Sequence, residues 1–172
     1  MPDRSVILTG FMGSGKSSVG RVLAERLGCP FVDLDAEIVA DAGRSINEIF
    51  AQDGEQAFRR MEADCLERIL ECSCSVIATG GGVVIAEENR RRMRDRGIVV
   101  NLAVSLPQVL KRLHRAVDRP LLSGDDAANR AKLLMDERKQ FYEDADIRID
   151  TDGKSVEDVA AEIIGFVEEL RS

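Results

Sequence analysis

The sequence predicts an α/β protein built on a parallel sheet with helices on both faces. Three observations carry that expectation. A glycine-rich loop, Gly10-Phe11-Met12-Gly13-Ser14-Gly15-Lys16-Ser17, stands between the apolar run Val6-Ile7-Leu8 and an amphipathic stretch. Strand-like apolar runs then alternate with helical patterns along the whole 172-residue chain. One run, residues 98–104, is almost continuously apolar, as expected for a central strand buried on both faces.

The elements follow in order. Residues 18–27 set Val19, Val22, Leu23 and Leu27 on one stripe at helical spacing. Residues 30–35 read as a short second strand, bounded upstream by Gly28 and Pro30. A helix over 36–42 breaks at Gly43 and Arg44, and Ser45 is placed to cap the next helix over 46–50. Gly54 opens a longer helix with the apolar stripe Phe58, Met61, Cys65, Leu66 and Ile69. Residues 75–79 form a third strand, terminated by Gly80, Gly81 and Gly82. After the fourth strand, Ser105 caps a helix with Pro107 near its start. The stretch 117–127 loses periodicity and carries Arg119, which suits a loop over a site. A long helix over 130–144, a fifth strand over 147–150, a turn at 151–153 and a helix capped by Ser155 follow. With no repeat or linker, one domain over 1–172 is expected.

Composition narrows the function classes. A hydrophobic share of 44% with 32% charged residues is that of an ordinary globular protein. No apolar run approaches the roughly 20 residues of a membrane span. Met1-Pro2-Asp3-Arg4 leads almost at once into strand, so no signal peptide and a cytoplasmic location are expected. A net charge of −7 argues against a nucleic-acid-binding surface. Cys29, Cys65, Cys72 and Cys74 lack metal-site spacing and are expected to be reduced and semi-buried. The sole histidine, His114, has no partner group in sequence and receives no catalytic role.

The loop at 10–17 matches the pattern G-x-x-x-x-G-K-[ST] at every fixed position, and its strand-before, helix-after context is the one this motif requires. Its glycines let successive N–H groups line a concave anion nest. Lys16 brings a point charge to the β- and γ-phosphates, Ser17 can ligate Mg²⁺, and the helix N-terminus adds partial positive charge. These features imply a nucleoside triphosphate site.

Other constellations gather around it. Asp33 and Asp35 are expected at the carboxyl end of the second strand, where alternate residues project the same way and both carboxylates can reach one site. One could organise Mg²⁺ and the other a substrate hydroxyl; N-capping of the next helix is the plainer alternative. The glycine triplet offers backbone that a ligand can touch directly, with Thr79 before it as a possible hydroxyl near the phosphates. Arg59 and Arg138 are read as lying off the apolar stripes of their helices, and either could form a bidentate grip on a carboxylate or simply be solvated.

Together, the P-loop, Asp33-Leu34-Asp35, Gly43-Arg44-Ser45, Phe58-Arg59-Arg60, Thr79-Gly80-Gly81-Gly82 and Asp118-Arg119-Pro120-Leu121-Leu122 resemble shikimate kinase, in order over essentially the whole chain. The resemblance implies a nucleoside-monophosphate-kinase-like fold: a five-stranded parallel sheet, a substrate-binding region about 34–62 and a lid about 113–127. It implies ATP-dependent phosphorylation of the shikimate 3-hydroxyl by a monomer acting on small molecules, with neither nucleic acid nor membrane as partner. Gly13, Ser14, Gly15, Lys16, Ser17 and Ser18 would hold the ATP phosphates, with Arg112 against adenine. Ser17 and Asp33 would serve Mg²⁺, Asp33 through water. Asp35 would bind the shikimate hydroxyls and act as base. Arg59 and Arg138 would clamp the carboxylate, Gly80, Gly81 and Gly82 would line the pocket, and Arg119 would approach the transferring phosphoryl. The rival readings are a gluconate or nucleoside-monophosphate kinase on the same fold and, from another class, a P-loop switch module.

Overall fold

Five parallel strands form one sheet in the order β2-β3-β1-β4-β5 in the computed structural model, which describes residues 4–113 and 126–172. The strands are β1 (Ser5–Thr9), β2 (Phe31–Asp33), β3 (Val76–Ala78), β4 (Gly97–Ala103) and β5 (Ile147–Asp150). All four pairings are parallel, with Ile7 opposite both Ile77 and Val99. Every carboxyl end therefore faces the same edge of the sheet.

The central strands are mostly apolar because both of their faces are covered. Val6 and Leu8 of β1, with Val100 and Leu102 of β4, face one core beneath α1 (Lys16–Leu27) and α8 (Val156–Glu169). Ile7, Ile77 and Val99 point to the opposite core. There they meet Leu34 and Ile38 of α2 (Leu34–Ala42), Ile49 of α3 (Ile46–Asp53), and Phe58, Leu66 and Ile69 of α4 (Glu55–Leu70). A 3₁₀ turn (Val83–Ile85) and α5 (Glu87–Arg96) return the chain to β4. A third, smaller core joins Phe11 to α6 (Leu106–Leu113) and α7 (Ala127–Tyr142) through Val109 and Ala131.

The caps predicted at Ser45 and Ser155 form. Ser45 and Glu48 make a reciprocal capping box at α3, and Ser155 with Asp158 makes another at α8. Several boundaries differ from expectation, those of α2 and α7 among them. The helix after β2 begins at Leu34, because Asp33 caps it and so turns the chain two residues early. The long helix after the 117–127 stretch runs from Ala127 to Tyr142 rather than over 130–144. The cysteines are all free thiols; Cys65 is buried, Cys29 and Cys74 are half-buried, but Cys72 is exposed just past the end of α4, contrary to expectation. His114 and most of the expected lid lie outside the described residues. No helix among those described is long and apolar enough to cross a membrane.

Candidate active site

The loop between β1 and α1 forms the floor of a cleft of about 480 Å³ at the carboxyl edge of the sheet. Two of its glycines show why no other residue serves. Gly10 has φ 149°, and a Cβ there would stand 2.5 Å from the Leu102 carbonyl oxygen. Gly15 has φ 90° and is the N-cap of α1, a position where it supplies no side chain to cover the first-turn amides. With no acidic residue in that first turn, the helix N-terminus keeps its partial positive charge facing the cleft. Lys16 folds back along the loop: its Nζ donates to the carbonyl oxygens of Gly10 at 2.6 Å and Phe11 at 3.0 Å. Gly13, Ser14, Gly15, Ser17 and Ser18 line the same cleft, as does Arg112, which donates to the Gly13 carbonyl.

Ser17 and Asp33 meet on its wall. Ser17 donates from Oγ to Asp33 Oδ2 at 2.8 Å, while Asp33 Oδ1 accepts from the Ala36 amide at 3.2 Å. Asp33 therefore caps α2 with one oxygen, as the plainer sequence reading expects, and turns the other to the P-loop serine.

Beyond Asp33 the charge density rises. Asp35 sits in the first turn of α2 rather than on the strand, and lines the cleft from there. Gly80, Gly81 and Gly82, which follow β3, face four charged groups in turn. A Cβ on Gly80 would come within 2.9 Å of both Asp35 Oδ1 and Glu62 Oε2. One on Gly81 would lie 3.6 Å from Arg138 Nη1, and one on Gly82 would collide with the Arg59 guanidinium. Arg59 pairs with Glu62 at 3.0 Å and with Glu55 at 3.3 Å. Glu62 is only 1% exposed, and burial pushes its carboxyl up to about 7 against the opposing pull of Arg59. The Asp35 carboxylate pushes it in the same direction as burial, and Arg138 opposes both.

Arg138 is the most unusual of these groups. It is 2% exposed, yet its Nε and Nη1 have no hydrogen-bond partner among the described residues. One turn on along α7, the Tyr142 hydroxyl donates to the Gly81 carbonyl oxygen. Burying a guanidinium with open donors is costly, and an anion accepting from it would offset that cost.

The structure thus brings Asp35, Arg59, Gly80, Gly81, Gly82 and Arg138 together beside the P-loop. Arg138 does not lie off its helix's apolar stripe: with Ala131, Leu134, Met135 and Tyr142 it forms the buried face of α7. Thr79 lines the cleft, but its hydroxyl is committed to the Leu8 carbonyl at 2.8 Å, where it ties β3 to β1. Arg119 lies outside the described residues. Sequence reasoning missed Glu62 and Tyr142. Glu62 had a signal, since it falls on the same helical stripe as Phe58, Cys65 and Ile69, where a carboxylate must be buried.

Comparisons with known proteins place the chain in a family. The family model described as shikimate kinase matches residues 12–168. A shikimate kinase of Geobacter metallireducens is 54% identical over 96% of this chain and 92% of its own length. One from Symbiobacterium thermophilum is 47% identical over 96% of this chain and 97% of its own. Among solved structures, shikimate kinase from Acinetobacter baumannii in complex with shikimate superposes with a TM-score of 0.94 and 36% identity, covering 96% of this chain and 93% of that one. A gluconokinase from Sinorhizobium meliloti, at TM-score 0.55 and 19% identity, shares the fold alone. The sheet is that of the nucleoside-monophosphate-kinase-like P-loop fold, and the chain belongs to the shikimate kinase family.

Proposed function

We propose that this protein transfers the γ-phosphoryl group of ATP to the 3-hydroxyl of shikimate, giving shikimate 3-phosphate and ADP. The observation that carries the reading is the convergence of two guanidiniums, from α4 and α7, on the glycine turn beside Asp35 and the P-loop. A nucleotide acceptor asks for a base pocket, whereas a carboxylated polyol asks for this pair of arginines and a carboxylate for its hydroxyls.

Phosphoryl transfer needs positioning and charge neutralisation more than covalent chemistry. The amides of the P-loop and Lys16 hold the phosphates, and Arg112 flanks the nucleotide. Ser17 and Asp33 offer neighbouring hard oxygens on the cleft wall, a donor set that fits Mg²⁺ completed by phosphate and water. Held by Ser17 and Asp33, such an ion would supply positive charge to offset that of the phosphates. Arg59 and Arg138 hold the shikimate carboxylate, and this fixes the ring over Gly80, Gly81 and Gly82. Asp35 accepts a hydrogen bond from the 3-hydroxyl and takes its proton as the new O–P bond forms and the bond to ADP breaks. Arg119, on the proposed lid, adds positive charge in the transition state. The same reading has the protein acting as a cytoplasmic monomer on freely diffusing substrates.

The test is ADP release measured with shikimate, gluconate or no acceptor, with the product's phosphate located by phosphorus NMR. Turnover that requires shikimate and yields the 3-phosphate is expected. Equal ATP hydrolysis without acceptor, or turnover with gluconate instead, would overturn the reading.

A further inference from the structure

The 3₁₀ turn after the glycine triplet is a single turn, too short to satisfy its own carbonyl oxygens, and side chains from the start of α5 meet all three. Asn89 donates from Nδ2 to the Val83 oxygen at 3.1 Å. Arg90 donates from Nη1 to the oxygens of Val84 at 2.7 Å and Ile85 at 3.1 Å. That turn holds the triplet in its place: the Val83 amide donates to the Gly80 carbonyl oxygen and the Ile85 amide to that of Gly82, each at 3.2 Å. Arg90 also reaches the other way. Its Nε donates at 3.1 Å to Asp144 Oδ2, two residues past the end of α7, and its guanidinium carbon lies 4.7 Å from the centroid of the Phe141 ring on that helix. One half-buried side chain therefore joins the backbone that carries the glycine triplet to the helix that carries Arg138.

We infer that Arg90 is a positioning residue for shikimate recognition: it sets the glycine triplet against the Arg138 segment of α7. This rests on the carboxylate-clamp reading above. The acceptor site is assembled from two segments far apart in sequence, and a strut between them removes their relative freedom before the ligand arrives. Arginine suits the task because its planar group carries several donors in fixed geometry, enough to hold two carbonyls and a carboxylate at once. Arg90 acts through these contacts rather than on the ligand. A second tie, from the Tyr142 hydroxyl to the Gly81 carbonyl oxygen, joins the same two elements, so loss of Arg90 loosens the junction without severing it.

Arg90→Met separates the strut from packing, since it keeps an alkyl stem against Phe141 and removes the donors. Arg94→Met is the control: Arg94 pairs with the same Asp144 carboxylate from an exposed position on α5. Calorimetry on the full chain would titrate shikimate and an ATP analogue into each protein. Arg90→Met is expected to bind shikimate about tenfold more weakly, the size of one hydrogen bond to a charged group. Its affinity for the ATP analogue should stay within twofold, which also reports that it is folded, and Arg94→Met should match wild type for both ligands. In turnover, KM for shikimate should rise with kcat changed little, whereas a merely structural role would lower the active fraction and leave KM alone. Asp144→Ala cuts only the arm to α7 and should show a smaller loss in the same direction; it decides the matter if Arg90→Met does not fold. Shikimate affinity within twofold of wild type in Arg90→Met, or in Asp144→Ala should the first variant not fold, overturns the inference. An equal loss of nucleotide, or the same loss of shikimate in Arg94→Met, overturns it too. Failure of the wild type to bind shikimate overturns the acceptor reading itself, and the role of Arg90 falls with it.

Discussion

The loop at Gly10–Ser17 and the turn at Gly80–Gly82 are both glycine-rich, both follow neighbouring strands and both line the same cleft, yet they build their sites by opposite means. In the first loop the glycines are needed for backbone conformation: Gly10, Gly13 and Gly15 all have positive φ. In the proposed mechanism, backbone amides, Lys16 and Ser17 then supply the chemistry from within eight consecutive residues. None of Gly80, Gly81 and Gly82 has positive φ. Their missing Cβ atoms are what matter, because Asp35, Glu62, Arg138 and Arg59 occupy or border that space. One glycine cluster shapes its own backbone, and the other makes room for neighbouring charged side chains.

The largest expected effect falls on the first loop. Lys16→Ala should lower kcat by at least about a hundredfold while the protein stays folded, since its ammonium lies along the loop and transition-state charge stabilisation is worth roughly that much. Steady-state kinetics with thermal melting checks both halves; activity within tenfold of wild type would remove the loop from the mechanism.

The two kinds of glycine can be told apart directly. Gly10→Ala forces an L-residue to φ 149° and sets its Cβ against the Leu102 backbone, so a lower Tm and weakened nucleotide binding are expected together. Gly82→Ala meets only the end of the flexible Arg59 side chain, at a backbone φ of −100° that alanine adopts freely. It should fold with near-normal nucleotide affinity but bind shikimate about tenfold more weakly, by displacing Arg59. If both variants lose nucleotide equally, the distinction between conformation and room is wrong.

The same contrast explains what was legible in the sequence. The P-loop could be placed between β1 and α1 from the sequence, because it is local and its spacing is its geometry. The strand order was not, since nothing in the run Val76-Ile77-Ala78 says that it inserts between β1 and β2. The acceptor side was read through resemblance and only in part. Arg59 and Arg138 lie on separate helices, and helical periodicity treats any charged residue as belonging to the wet face. Arg138 defeats that rule because it is buried beside a carboxylate and a tyrosine hydroxyl. Glu62 escaped for the same reason, although its place on the apolar stripe of α4 was visible.

Glu62 gives a smaller, pH-dependent effect. Its folded-state carboxyl titrates at about 7, above the ordinary carboxylate value of 4.5, so the folded chain holds a proton that the unfolded chain has released. Stability contributed by this group therefore falls as pH rises from about 4.5 to about 7 and levels off above that. Glu62→Gln removes the titration. Urea melts of both proteins across this range should show wild type losing stability relative to the variant as pH rises; parallel curves would mean that Glu62 is ionised throughout.

The central claim is that charge on the acceptor side serves a carboxylate and charge on the P-loop side serves phosphate. Calorimetry on Arg138→Ala and Arg59→Ala, titrating shikimate and an ATP analogue separately, tests it most directly. Removing one arm of a desolvated arginine–carboxylate contact costs about 2–5 kcal/mol. Each variant should therefore lose roughly 30-fold or more in shikimate affinity and keep nucleotide affinity near that of wild type. Normal shikimate binding by both variants, or an equal loss of nucleotide, would contradict the claim.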